Sequence, residues 1–161
     1  MRGGVTRLYL KTAARGSPIN AIMANRSADD PNRRRVLLVE DDAAVRRSLQ
    51  LLLTGQGYDV RAYPSAVGLA RDPEALRADC LVADLLIPDG NAVTLLSDLR
   101  SSGWNGPAVL ISGHLTNEWA ERALAHGYAA AFAKPIGDAV LTKCLARLMP
   151  RAEPVILRES T

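Results

Sequence analysis

No stretch of this chain approaches the roughly 18 consecutive apolar residues that a membrane-spanning helix needs, so no crossing of a bilayer is expected. The N-terminus also lacks the apolar core of a secretory signal, its longest run of large apolar residues being Leu8-Tyr9-Leu10. A cytoplasmic location is the resulting expectation. Cysteine is scarce, at two residues. Cys80 lies in an apolar strand-like run and Cys144 on a helical apolar face, so both read as small buried hydrophobes in a reducing compartment. Neither has the closely spaced partners that a zinc site requires. Internal repeats are absent. Acid is missing from the first 28 residues, whereas Arg2, Arg7, Lys11 and Arg15 all fall there.

The composition of the whole chain is ordinary for a globular protein, 48% apolar and 23% charged, and its length is enough for one domain with a sizeable core. The basic balance is unevenly placed. Residues 1–34 carry seven Lys/Arg and two Asp, a net of +5, and residues 35–161 carry thirteen Lys/Arg and fifteen acids, a net of −2. The overall +3 therefore belongs to a leader, 1–34, that has no sustained period and contains Gly3-Gly4, Gly16, Pro18 and Pro31. It is expected to be disordered. A basic leader is also a candidate nucleic-acid contact, although the body behind it is acidic. Met23 offers an alternative start of translation. Residues 151–161 read as a short polar tail, too short for a further domain, and so as a natural end.

From Arg35 onward strands and helices alternate. Val36–Val39 is fully apolar, as a buried parallel strand must be. Asp42 can cap the helix that follows, in which Val45, Leu49, Leu52 and Leu53 share a face, and Gly55 or Gly57 ends it. A weaker strand is expected over 58–63 and a broken helical stretch over 64–77, interrupted by Gly68 and Pro73. Further strands are expected over 80–84, 108–111 and 128–133. Helices are expected around Ala92–Leu99, Trp119–Leu124 and Leu141–Leu148, with Pro150 as the last stop. Five such units predict an α/β, doubly wound, flavodoxin-like five-stranded parallel sheet of order 2-1-3-4-5, with helices on both faces. The domain is expected to span 35–150.

In such a sheet the ligand site lies beyond the carboxyl ends of the strands, where the order switches between strands 1 and 3. Glu40, Asp41 and Asp42 follow strand 1, Asp84 ends strand 3, Ser112 ends strand 4 and Lys134 ends strand 5. Carboxylates crowded on one rim repel one another. A divalent cation relieves this, and an all-oxygen set suits Mg2+. With the cation in place one carboxylate can act as a nucleophile toward phosphorus, while Lys134 and Ser112 supply a positive charge and a hydrogen-bond donor for the transferred group.

These residues carry a resemblance. Val39-Glu40-Asp41-Asp42, Asp84 with Pro88 four residues on, Ile111-Ser112-Gly113-His114 and Lys134-Pro135 resemble, in order and spacing, the receiver domains of two-component response regulators, over about residues 35–148. The resemblance implies that Asp84 accepts phosphate from a histidine of a sensor kinase or phosphotransfer protein. It implies that Asp41 and Asp84 bind Mg2+ with the backbone carbonyl of Leu86, that Glu40 helps through water, and that Ser112 is the switch hydroxyl. Lys134 then pairs with Asp84 and its phosphate, and the Lys134-Pro135 bond is cis. Output is expected through a downstream protein partner at helix 4, strand 5 and helix 5, with neither a DNA-binding domain nor a membrane anchor. The chain departs from the pattern at Ala92, where the family often has Gly, and at Ala131, where it usually has an aromatic; the second touches the output switch. Leu86 and His114, each two residues beyond a site residue, are possible modulators of phosphate lifetime. His114 and His126 read as surface residues, Trp104 as cover for the edge of the core, and Trp119 as core or partner surface.

Three other readings compete. A small Mg2+-dependent aspartyl-phosphate phosphatase needs an acid or base two residues after the nucleophile, and Leu86 stands there. A nucleic-acid binder would have to rely on residues 1–34. A receiver cut from a larger hybrid kinase or transcription regulator would not be expected to end on a short polar tail.

Overall fold

The computed structural model describes residues 30 and 32–151. The expectations for the tail beyond 151, and for the leader before 32, fall outside the described residues. The described residues from 32 onward belong to one compact unit. Its five-stranded sheet comprises β1 (Arg35–Val39), β2 (Asp59–Tyr63), β3 (Cys80–Asp84), β4 (Ala108–Ser112) and β5 (Ala130–Ala133). All neighbours are parallel and the order is β2-β1-β3-β4-β5, as the strand–helix alternation predicts. The helices are α1 (Ala43–Gly55), α2 (Pro73–Leu76), α3 (Ala92–Ser101), α4 (Asn117–Ala125) and α5 (Asp138–Leu148).

The central strands are apolar except at their ends because both faces of the sheet are covered. Val36 to Val39, Cys80 to Ala83 and Ala108 to Ile111 are all fully buried. Alternate residues of each strand feed two cores. Leu37, Val39, Leu81, Ala83 and Leu110 join Leu95, Leu96 and Leu99 of α3 on one side. Val36, Leu38, Val82, Val109 and Ile111 join Leu49 and Leu53 of α1 and Leu141 and Leu145 of α5 on the other.

Helix starts follow local chemistry. Asp42, Asn91 and Thr116 each accept the amide of the residue three positions on, satisfying one orphan donor at the start of α1, α3 and α4. The stretch 64–77 is broken as expected. Gly68, at φ 76°, opens a 3-10 turn over Leu69–Arg71, and Asp72 caps the single turn of α2. Trp104 is buried and its indole donates to Ala78 O at 2.7 Å, while His114 and His126 are exposed.

Four details differ from the sequence expectation. β5 begins at Ala130 rather than 128, because Tyr128 closes α4 through its amide to Ala123 O and donates its hydroxyl to Ala92 O at 2.6 Å. A two-stranded antiparallel hairpin, Leu86–Ile87 with Gly90–Asn91, follows β3. Cys80 is buried, which pushes its thiol up to about 12, but Cys144 is only half-buried. Arg33 and Arg34, counted in the leader by sequence, bond to the body: Arg33 donates to the carbonyls of Gly57 and Tyr58, and Arg34 to that of Pro150.

Candidate functional site

The sheet order brings the carboxyl ends of β1 and β3 side by side, and that of β4 next to β3. Glu40 and Asp41 leave β1 just where Asp84 ends β3. One carboxylate oxygen from each of Glu40, Asp41 and Asp84 lies within 4.8 Å of the others, and this is the one such acidic group among the described residues. Glu40 is 1% exposed and Asp84 9%, whereas Asp41 is open to solvent. Lys134, at the end of β5, reaches across the rim. Its Nζ donates to Asp84 Oδ2 at 2.8 Å and to Glu40 Oε2 at 2.5 Å. The Lys134-Pro135 bond is cis.

One ammonium thus serves two carboxylates. Burial pushes Glu40 above its ordinary 4.5, and the hydrogen bond and charge of Lys134 only partly oppose this. Burial alone would lower Lys134, but its hydrogen bonds to Asp84 and Glu40 and their charges raise it, so it stays charged. The cluster holds more negative than positive charge. Its donors are all oxygens, one of them solvent-exposed, which fits a hard divalent cation that keeps part of its water.

The turn after β1 is tightly bonded. Glu40 N donates to Tyr63 O at 3.0 Å, and Asp42 N donates to Glu40 Oε1 at 3.2 Å and Asp41 Oδ1 at 3.0 Å. Arg46 of α1 donates from Nη1 to Glu40 O at 2.9 Å and Asp41 O at 3.2 Å. Sequence reasoning missed Arg46. Its signal was a cation at the fourth position of a helix, where the positive end of the dipole disfavours one.

The remaining candidates surround this cluster. Leu86 N donates to Asp84 Oδ1 at 3.3 Å, and Leu86 is 49% exposed in the hairpin. Ser112 is fully buried and its Oγ accepts from His114 N at 3.1 Å. Ala131 lies on the same core as Leu115 and Trp119, whereas Phe132 packs into the other. Asp42 is exposed and its carboxylate caps α1.

The sequence profile of the response regulator receiver domain matches residues 36–146. The chain belongs to that family. This receiver domain is 33% identical over 112 residues to the transcriptional regulatory protein FixJ of Rhizobium meliloti (strain 1021), covering 70% of this chain and 55% of that protein. It is 30% identical over 128 residues to the DNA-binding transcriptional regulator NtrC of the same organism, covering 78% of this chain and 26% of that protein. The crystal structure of FIXJ-N matches with a TM-score of 0.65 and 32% identity, covering 71% of this chain and 92% of that one. The chain thus spans about half of FixJ and a quarter of NtrC. The fold is the flavodoxin-like one of receiver domains, which are signalling domains of two-component systems. No helix among the described residues is long and apolar enough to cross a membrane.

Proposed function

We propose that Asp84 is the sole phosphorylation site of this receiver domain and takes its phosphoryl group from a phosphohistidine of a sensor kinase or phosphotransfer protein. The observation that carries this reading is the Lys134 bridge: one cation holds Asp84 and Glu40 together beside the Asp41 carboxylate. A carboxylate in such a cluster needs a cation before it can approach a phosphoryl group; Asp41, Asp84 and the Leu86 carbonyl would hold Mg2+, with Glu40 acting through water. When bound, Mg2+ neutralises the cluster and the phosphoryl oxygens together. Asp84 attacks phosphorus, the P–N bond to histidine breaks, and an acyl phosphate forms. Lys134, released from two carboxylates, pairs with the phosphoryl oxygens, and Ser112 donates its hydroxyl to them.

The domain extends past the expected 35–150 to include Arg33 and Arg34, which bond to its body, and it acts in the cytoplasm. Its output is a change of the α4–β5–α5 surface toward a protein partner. Leu86 stands where a phosphatase of this chemistry needs an acid or base, which favours a held phosphate over turnover. His114 and Ala131 modulate lifetime and output.

The test is incubation with acetyl phosphate, with and without Mg2+, followed by intact mass. The wild type should gain the mass of one phosphoryl group only with Mg2+, and Asp84→Asn should gain none. An undiminished gain in Asp84→Asn overturns the assignment.

A further inference from the structure

Arg46 reaches the backbone of the turn that carries two of the clustered carboxylates. The two carbonyls that Arg46 binds belong to the peptide groups joining Glu40 to Asp41 and Asp41 to Asp42. A trans peptide points its N–H opposite to its C=O. Holding Asp41 O against the guanidinium therefore aims the Asp42 N–H the other way, at Glu40 Oε1 and Asp41 Oδ1, where it donates. Were this peptide to turn over, a carbonyl oxygen would face the carboxylates in place of that donor, adding repulsion to a cluster already rich in negative charge. Arg46 is half-buried and is itself fixed by the start of α1, its amide donating to Asp42 O at 2.8 Å.

We infer that Arg46 is a positioning residue for the divalent-cation site: by clamping the Glu40 and Asp41 carbonyls it orients the carboxylates of both residues for the metal. The inference rests on the proposed Mg2+ site. Charge and orientation act here with opposite sign, which makes it testable. A guanidinium near a dication repels it, so removing that charge should tighten Mg2+ binding if charge is all that Arg46 contributes. Removing a group that orients metal ligands weakens metal binding, typically by 10–100-fold.

The variants are Arg46→Met, which keeps the bulk and loses the charge and donors, and Arg46→Lys, which keeps the charge on a stem one bond shorter. Mg2+ affinity is measured by calorimetry on the full chain, with melting in EDTA as a check on folding. Arg46→Met should bind Mg2+ about tenfold more weakly than the wild type, with Arg46→Lys in between. The exchange of the Asp42 amide proton in EDTA should quicken in Arg46→Met. In the acetyl phosphate reaction the half-saturating Mg2+ should rise while the rate at saturating Mg2+ recovers. Equal or tighter Mg2+ binding in Arg46→Met overturns the inference and leaves the site itself standing. If Arg46→Met does not fold, Arg46→Lys decides: affinity equal to the wild type overturns the inference and weakened affinity supports it. A wild type that binds no Mg2+ overturns both this inference and the site on which it rests.

Discussion

Asp42 Oδ1 accepts the Val45 amide at 2.9 Å, whereas Asp41 Oδ1 accepts the Asp42 amide at 3.0 Å and Asp41 shares the rim with Glu40 and Asp84. Two adjacent exposed acids therefore differ in what they hold. Replacing Asp42 by Ala leaves an orphan amide at the start of α1, a loss of about 0.5–2 kcal/mol. Asp42→Ala should melt lower in EDTA and bind Mg2+ nearly as well as the wild type. Asp41→Ala should keep its melting temperature in EDTA and lose Mg2+ affinity in calorimetric titration; the reverse ordering would exchange the two roles.

Glu40 behaves differently because it is buried. A carboxyl whose folded-state pKa is raised holds its proton more tightly folded than unfolded. Its share of stability is complete below 4.5 and is lost as pH climbs through the raised value. Glu40→Gln escapes that loss and keeps a hydrogen-bonding side chain. In EDTA near neutral pH it should melt above the wild type, with the difference closing below 4.5. In Mg2+ the order should reverse, since the cation compensates the carboxylate and not the amide. A Glu40→Gln that melts below the wild type at neutral pH in EDTA would show that the Lys134 contact outweighs burial.

Among the elements, those buried on both faces were the most legible from sequence. Cys80–Asp84 was delimited from its apolar run alone, because a central parallel strand tolerates no polar residue until its end. The break in 64–77 was legible through Gly68 and Pro73, whose backbone requirements do not depend on the rest of the fold. The hairpin after β3 was not legible, since strands of two residues are too short for any period to show. It is tied to the loop after β2 by Ser65 Oγ, which donates to Asp89 Oδ2 at 2.8 Å. The hairpin carries Leu86 at the rim of the site, with its amide bonded to Asp84 and its side chain half exposed. Hydrolysis of the acyl phosphate needs a water held in line with phosphorus, and Leu86 offers nothing to hold it. Leu86→Asn should therefore shorten the lifetime of the phosphorylated domain several-fold, followed by intact mass after removal of acetyl phosphate. An equal or longer lifetime would mean that water is positioned from elsewhere, with exposed His114 the first place to look.

For the whole molecule the question is how a change at the rim reaches a partner. The acids and lysine that meet at the rim were legible because each stands at or just beyond the carboxyl end of a strand, but the route outward depends on which core each side chain enters. Ala131 has no ring to rotate, and Phe132, on the opposite face of β5, packs into the other core. Ala131 instead shares its core with Leu115 and Trp119. The buried Ser112 hydroxyl accepts the His114 amide, so drawing Ser112 Oγ toward a phosphate competes with the bond that closes the turn over 112–114. Loosening that turn acts on Leu115 and on Thr116, whose hydroxyl caps α4 through the Trp119 amide at 3.2 Å. Trp119 is half-buried, with the Arg122 guanidinium 4.9 Å from its ring centroid. The expected output is backbone movement over 113–119 and repacking of Trp119, limited in size by how differently the phosphate interacts with the two states. Beryllofluoride with Mg2+, as a phosphate mimic, should change Trp119 fluorescence and speed amide exchange over 113–119. Trp104 is buried at the far end of α3, bonded to Ala78 O, and should stay silent. Trp119→Phe should abolish the fluorescence change while leaving the exchange response in place. A change that survives in Trp119→Phe, or an exchange response that bypasses 113–119 and appears on another surface, would rule out this route.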